Sequence, residues 1–244
     1  MRWNKGWRAA ALLLFTLLPL RPLLGQTTPP AAPSANQSPV PLQSAPPSRA
    51  LFIMIDPAHG GSEPGAVLNA AIPEKDVTLS IARRLRQELA ARGIPALLIR
   101  DGDATVSTDQ RAQIVNSAHP ALYIAVHATS QGSGMRIYTA MLPVAGENAG
   151  PFVDWQTAQA SAITRSRWVR DQIAAAIQKT GFPLRSLVAP LHPLNNITVP
   201  ALAIEIAPTT GDVSQLASVD YQQMITAALA NSIAAIRGKL ESAP

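Results

Sequence analysis

A chain of 244 residues with 47% hydrophobic and only 14% charged side chains is long enough for one domain with a sizeable core, or two small ones, and too apolar to be disordered throughout. Its 22 prolines exceed what a compact domain normally carries and assign part of the chain to linker, while the lack of cysteine excludes disulfide frameworks, thiolate zinc sites, iron–sulfur clusters and cysteine nucleophiles. The net charge of +5 does not mark a nucleic-acid binder: Arg2, Lys5, Arg8 and Arg21 stand without an acid in the first 25 residues, and the remainder has a formal charge of about +1.

Residues 1–25 pair that basic start with an apolar run from Ala9 to Leu20, shorter than the about 20 residues that a membrane span needs. They read as a secretory signal peptide, with an uncleaved anchor as the alternative. Either reading exports the rest of the chain to a secreted or periplasmic location, and cleavage would leave no stable membrane insertion. Residues 26–50 contain seven prolines and a single charge, Arg49, a composition that cannot bury enough surface to fold, so a disordered proline-rich linker is expected. The ordered domain is expected over 51–240.

Within it, continuous apolar runs alternate with helical patterns, which predicts a single α/β domain with a central sheet flanked by helices on both faces. The strands are expected at 51–56, 95–100, 121–127, 134–141 and 201–207. The first helix starts at Pro73, carries Glu74 and Asp76 in its first turn, repeats Val77, Ile81, Leu85 and Leu89 at spacing four, and stops before Gly93 and Pro95. Further helices are expected at about 109–118, 155–180 and 220–237, the last ending at Gly238.

Few side chains can do chemistry. His59 follows the first strand in IDPAHGGSEPGA, where glycines let backbone approach whatever the imidazole holds, and His127 ends the third in ALYIAVHAT. Strands that finish in histidines place them at the C-terminal edge of the sheet, where open α/β folds bind ligands. Glu74 opens a helix, where the dipole favours a carboxylate. Glu205, in PALAIEIAP, has aliphatic neighbours along the chain; a carboxylate there is costly unless paired, metal-bound or held protonated, and desolvation would raise its pKa. Two imidazoles and one carboxylate with an open fourth position are the usual ligand set of a catalytic zinc. Such an ion would acidify a bound water to a pKa of about 7, with Glu205 taking its proton and returning it to the leaving amine. Spacing alone leaves each histidine equally readable as a hydrogen-bonded surface or core residue. GxSxG and GxxxxGK[ST] motifs are absent, and GGSEPG lacks the Rossmann glycine spacing.

In order, IDPAHGG, PEKDVTLSIARRLRQELAARGIPALLIR, TDQRAQIVNSAHPALYIAVHAT and VPALAIEIAP closely resemble the type 3 family of zinc-dependent N-acetylmuramoyl-L-alanine amidases. The resemblance implies a mixed sheet flanked by helices. It implies Zn2+ held by His59, Glu74 and His127, a catalytic Glu205, and hydrolysis of the amide between the lactyl group of N-acetylmuramic acid and L-alanine in peptidoglycan. Arg111 matches the family's usual arginine and is expected to be structural or to orient substrate. Asp56 and Asp76 adjoin ligands and are candidates for orienting them by hydrogen bonds, with helix capping equally open to Asp76. Ala58, Thr129 and the IAPTT segment depart from the family pattern without removing a ligand. The loop 142–159 is too short and proline-broken for the autoinhibitory helix of some relatives; Phe152 and Trp155 are expected to pack, or to line a groove, and Glu147 to stay solvated. His119 is expected to cap a helix or sit on the surface, and His192 is left without a role. The alternatives are a zinc peptidase acting on a stem peptide and a wall-binding domain that has lost turnover. A protein activator is left open.

Overall fold

The computed structural model describes residues 51–69, 72–142 and 155–242; the expected leader and linker, and Glu147 and Phe152, lie outside them. Among the described residues eight strands run in chain order: β1 (Ile53–Pro57), β2 (Val67–Asn69), β3 (Ile72–Pro73), β4 (Ala96–Leu98), β5 (Leu122–Ala128), β6 (Gly134–Ala140), β7 (Leu184–Ala189) and β8 (Ala201–Ala207). The helices are α1 (Glu74–Ala91), α2 (Thr108–Ala118), α3 (Ile163–Gln178), α4 (Val219–Ala235) and α5 (Arg237–Glu241). Six strands form one sheet in the order β4-β1-β5-β8-β6-β7. The first four are parallel; β6 runs antiparallel to β8, and β7 parallel to β6. The sheet is therefore mixed, as the family resemblance implied.

Because side chains alternate across a strand, β1, β5 and β8 each feed two cores. Ile53, Ile55, Ile124, Val126, Leu202, Ile204 and Ile206 face α1, α3 and α4. Met54, Tyr123, Ala125, Ala201 and Ala203 face α2 and the short 3-10 turn Leu194–Asn196. Helices thus cover both faces, and the same alternation sends Asp56, His127 and Glu205 to the α2 side.

The first helix matches its sequence signals closely. Val77, Ile81, Leu85 and Leu89 are all buried. Its end is a Schellman turn, with Gly93 N–H donating to Ala90 O, Ile94 N–H to Leu89 O, and Gly93 at φ 69°. α2 begins at a reciprocal Ser107–Gln110 capping box and ends at His119, which sits in the left-handed region at φ 50°, in line with the capping role expected of it.

Three expectations needed correction. The third helix is broken: Trp155–Ser161 is a 3-10 segment, and α3 starts only at Ile163. There the buried Gln159 amide donates to Ile197 O and Val199 O, a tertiary demand that overrides local helix pattern. The last helix does not stop at Gly238, which lies inside α5. The edge strand β7 was not anticipated, because none of its residues is fully buried and Arg185 and Ser186 interrupt its apolar side chains. Among the described residues no helix is long and apolar enough to cross a membrane.

Candidate metal centre

The parallel register aligns His127 of β5 directly with Glu205 of β8, both near the C-terminal ends of their strands. Two residues after β1 ends, His59 takes φ 63°, which turns the loop back over the same edge. Glu74 enters from the first turn of α1. One donor atom from each of His59, Glu74 and His127 lies within 4.8 Å of the other two. Glu74 is buried, and both its oxygens are engaged: Oε2 by the Ala66 N–H at 3.0 Å and His59 Nε2 at 3.1 Å, Oε1 by the Ala128 N–H at 3.2 Å and His127 Nδ1 at 3.0 Å. The two imidazole rings stand edge to face, 5.4 Å apart.

These contacts shift the titrations in opposite senses. Burial works to raise the Glu74 pKa, but the hydrogen bonds of His127, His59 and Ala66 outweigh it and hold the carboxyl well below the usual range. The hydrogen bond to Glu74, reinforced by Glu63, raises the His59 pKa against the effect of its burial. Glu63 was not singled out in the sequence, although it lies four residues from His59; its Oε2 is 2.6 Å from His59 Nδ1. That bond leaves Nε2 as the nitrogen turned toward Glu74. Gly65 is required beside it, since at φ 71° a Cβ there would stand 2.6 Å from His59 Cδ2.

Glu205 is not enclosed by its aliphatic chain neighbours, although Leu191, Leu194 and Ala203 line the cavity that it faces. Ile204 and Ile206 point to the opposite face, and the carboxylate is a quarter exposed and paired: Oε2 accepts from Arg136 Nη1 at 2.5 Å and Tyr138 Oη at 3.0 Å. Arg136 is in antiparallel register with Glu205 and is anchored in turn on Gln131 O at 2.7 Å. Of the means of lodging an acid there, pairing is the one this fold uses. The alternation in GMRIYTAM already put Arg136 and Tyr138 on one face; that β6 neighbours β8 could not be read from it.

Asp56 and Arg111 are hydrogen-bonded to each other, and the bonds of Arg111 to the His59 loop go to backbone carbonyls. Both are buried and ion-paired, and Tyr123 Oη donates to Asp56 at 2.5 Å. Arg111 also donates to Pro57 O at 3.1 Å and to His59 O at 2.8 Å, which ties down the backbone that carries His59. Arg100, expected only as the last residue of a strand, does the same from the other side through Pro57 O, Ala58 O and Lys75 O. Asp76 is exposed in the first turn of α1, where its charge suits the helix dipole. A cavity of about 360 Å³ opens over His59, His127, Thr105 and Ser107, and a second of about 200 Å³ over Glu205, Tyr138, Leu191 and Ala203. Trp155 is 41% exposed and lines neither.

The family model for N-acetylmuramoyl-L-alanine amidase (Amidase_3) matches residues 53–235, most of the chain and every strand and helix around this cluster. The chain belongs to this amidase family. Within the family, the sporulation-specific N-acetylmuramoyl-L-alanine amidase of Bacillus subtilis is 30% identical over 186 residues, 74% of this chain and 66% of its own length. A putative N-acetylmuramoyl-L-alanine amidase of Buchnera aphidicola is 40% identical over 81 residues, 33% of this chain and 37% of its own. The chain therefore spans about a third to two thirds of these curated relatives. Among solved structures, the amidase AmiC2 of Nostoc punctiforme superimposes with a TM-score of 0.58 at 26% identity, covering 78% of this chain and 99% of that one. The Ami1 amidase of Mycobacterium smegmatis, at 19% identity and a TM-score of 0.61 over 79% of this chain and 99% of its own, shares the fold.

Proposed function

We propose that this protein is an exported, zinc-dependent N-acetylmuramoyl-L-alanine amidase that hydrolyses the amide between the lactyl group of N-acetylmuramic acid and L-alanine in peptidoglycan. One observation carries the reading: His59, Glu74 and His127 converge to within 4.8 Å of one another beside a carboxylate aligned in register with His127, in a chain of this family. The donor set fits zinc, with two imidazole nitrogens and one carboxylate already drawn together and no sulfur. Zinc in this position supplies a Lewis acid for the carbonyl and a water of lowered pKa.

The chain's own residues do the rest. Glu63 and Glu74 hold the His59 ring between them, while Arg111 holds its carbonyl and Arg100 the carbonyl of Ala58 before it. Arg136 and Tyr138 both bind Glu205 Oε2, which leaves Oε1 to take the proton of the attacking water. The same carboxyl then hands that proton to the nitrogen of L-alanine, because an amine leaves far more readily than an amide anion. The cavities on either side of His127 accommodate the two halves of the substrate.

Digestion of purified peptidoglycan followed by mass analysis tests the reading. Released stem peptides beginning at L-alanine, with intact lactyl-sugars, are expected; shortened stems would indicate a peptidase, and undigested wall that retains the protein would indicate a binding domain. His59→Ala and His127→Ala should each lower the zinc content of the purified protein, and full occupancy in both would remove them from the ligand set.

A further inference from the structure

His192 is unused by the mechanism above, yet its position is singular. It is exposed, in the segment joining β7 to the 3-10 turn Leu194–Asn196, and it lines both cavities over the centre. Among the described residues the one other side chain common to the two is His127. A ligand spanning both cavities must pass these two imidazoles.

The orientation of the His192 ring follows from hydrogen-bond accounting. Asn196 is 2% exposed and its Nδ2 donates to Trp155 O at 3.0 Å, so the amide atom 2.8 Å from His192 Nδ1 is the acceptor Oδ1. Nδ1 must then carry the hydrogen. In the neutral ring this leaves the lone pair on Nε2, making that edge an acceptor and not a donor. The support is rigid: Asn196 O accepts from Asn116 Nδ2 at 2.8 Å, which ties the turn to α2. A peptide-bearing substrate offers N–H groups at every residue, the complement that such an edge requires.

We infer that His192 is a substrate-contacting residue whose Nε2 accepts a hydrogen bond from an amide N–H of the muramyl-peptide where the chain crosses between the two cavities. The inference rests on the amidase reading and deepens it. Asn196 is the positioning residue that sets the tautomer.

The test uses the zinc-loaded protein and N-acetylmuramoyl-L-alanyl-D-isoglutamine. In the Glu205→Gln background, where turnover is blocked, calorimetry should show His192→Ala weakening binding about 3- to 10-fold, the worth of one neutral hydrogen bond, with zinc content and melting temperature unchanged. His192→Gln, which keeps an acceptor, should recover most of the affinity. Nitrogen-detected NMR of the imidazole should show Nδ1 protonated in the free protein and the Nε2 signal moving on ligand addition. With Glu205 intact, the same His192→Ala change should raise KM by a similar factor and leave kcat within about two-fold. Equal affinity and equal KM in His192→Ala, alongside measurable hydrolysis by the parent protein, would overturn the inference and leave the amidase reading standing. A parent protein that neither binds nor cleaves the muramyl-peptide would overturn both.

Discussion

Replacing Arg111 with methionine removes a charge without removing much volume. The guanidinium is 5% exposed, its partner Asp56 is 1% exposed, and among the described residues the substitution leaves that carboxylate with the Tyr123 hydroxyl as its side-chain hydrogen-bond partner and the more distant charge of Arg100. Breaking a buried ion pair from one side costs about 3–5 kcal/mol, because the surviving charge stays desolvated. Against a typical domain stability of about 5–15 kcal/mol, the variant should still fold, with a melting temperature lower by about 6–20 °C at about 2–4 °C per kcal/mol. Urea denaturation of the zinc-free protein measures the loss directly. Arg111→Met combined with Asp56→Asn should cost less than the sum of the two single changes by about 1–3 kcal/mol, since the double variant no longer buries an unpaired charge. Zinc affinity should fall as well, because the His59 carbonyl loses the donor that anchors its loop. A single variant within about 1 kcal/mol of the parent, or an additive cycle, would refute the claim that this pair supports the centre.

Glu205→Gln should reduce kcat by at least about 100-fold, in the range of a lost general acid–base group, while zinc content stays at the parent level; turnover near that of the parent would dismiss Glu205 as the proton carrier. Glu63→Ala should weaken zinc binding about 10-fold, the lower end for a carboxylate that orients a ligating imidazole, because Glu63 is itself largely exposed; chelator competition reads this, and an unchanged affinity counts against it. For the zinc-free protein, Glu74's depressed pKa contributes stability that is complete above about 4.5 and lost as pH falls, and His59's raised pKa contributes stability that is complete below 6.5 and lost as pH rises through the elevated value. Melting temperatures should therefore decline on the alkaline side in the parent more than in His59→Ala. Zinc binding should have the opposite dependence: an ion held by His59 would compete with the proton there, so affinity should climb as pH rises through that value, and a flat profile from pH 5.5 to 8 would contradict it.

Reading along the chain was sufficient where a local period and a local stop signal agree and no distant contact overrides them. Spacing four from Val77 to Leu89, closed by Gly93, specifies α1 because an amphipathic helix and its Schellman turn are built within about twenty residues. The histidines that finish strand signals could be assigned to one sheet edge from local pattern, Glu74 and Glu205 stood out as a helix-opening acid and an acid in an apolar strand, and the family motifs named the same four residues. The broken third helix escaped because Gln159 answers to carbonyls at Ile197 and Val199, far along the chain, and β7 escaped because an edge strand buries too little to need an apolar run. Only the folded chain shows that Glu205 is paired with Arg136, that Arg111 and Arg100 clamp the backbone beneath His59, and that His192 overlooks both cavities. Each depends on which strands lie side by side, an order decided by packing two cores against a common sheet, and no periodicity in a one-dimensional string encodes that neighbour choice.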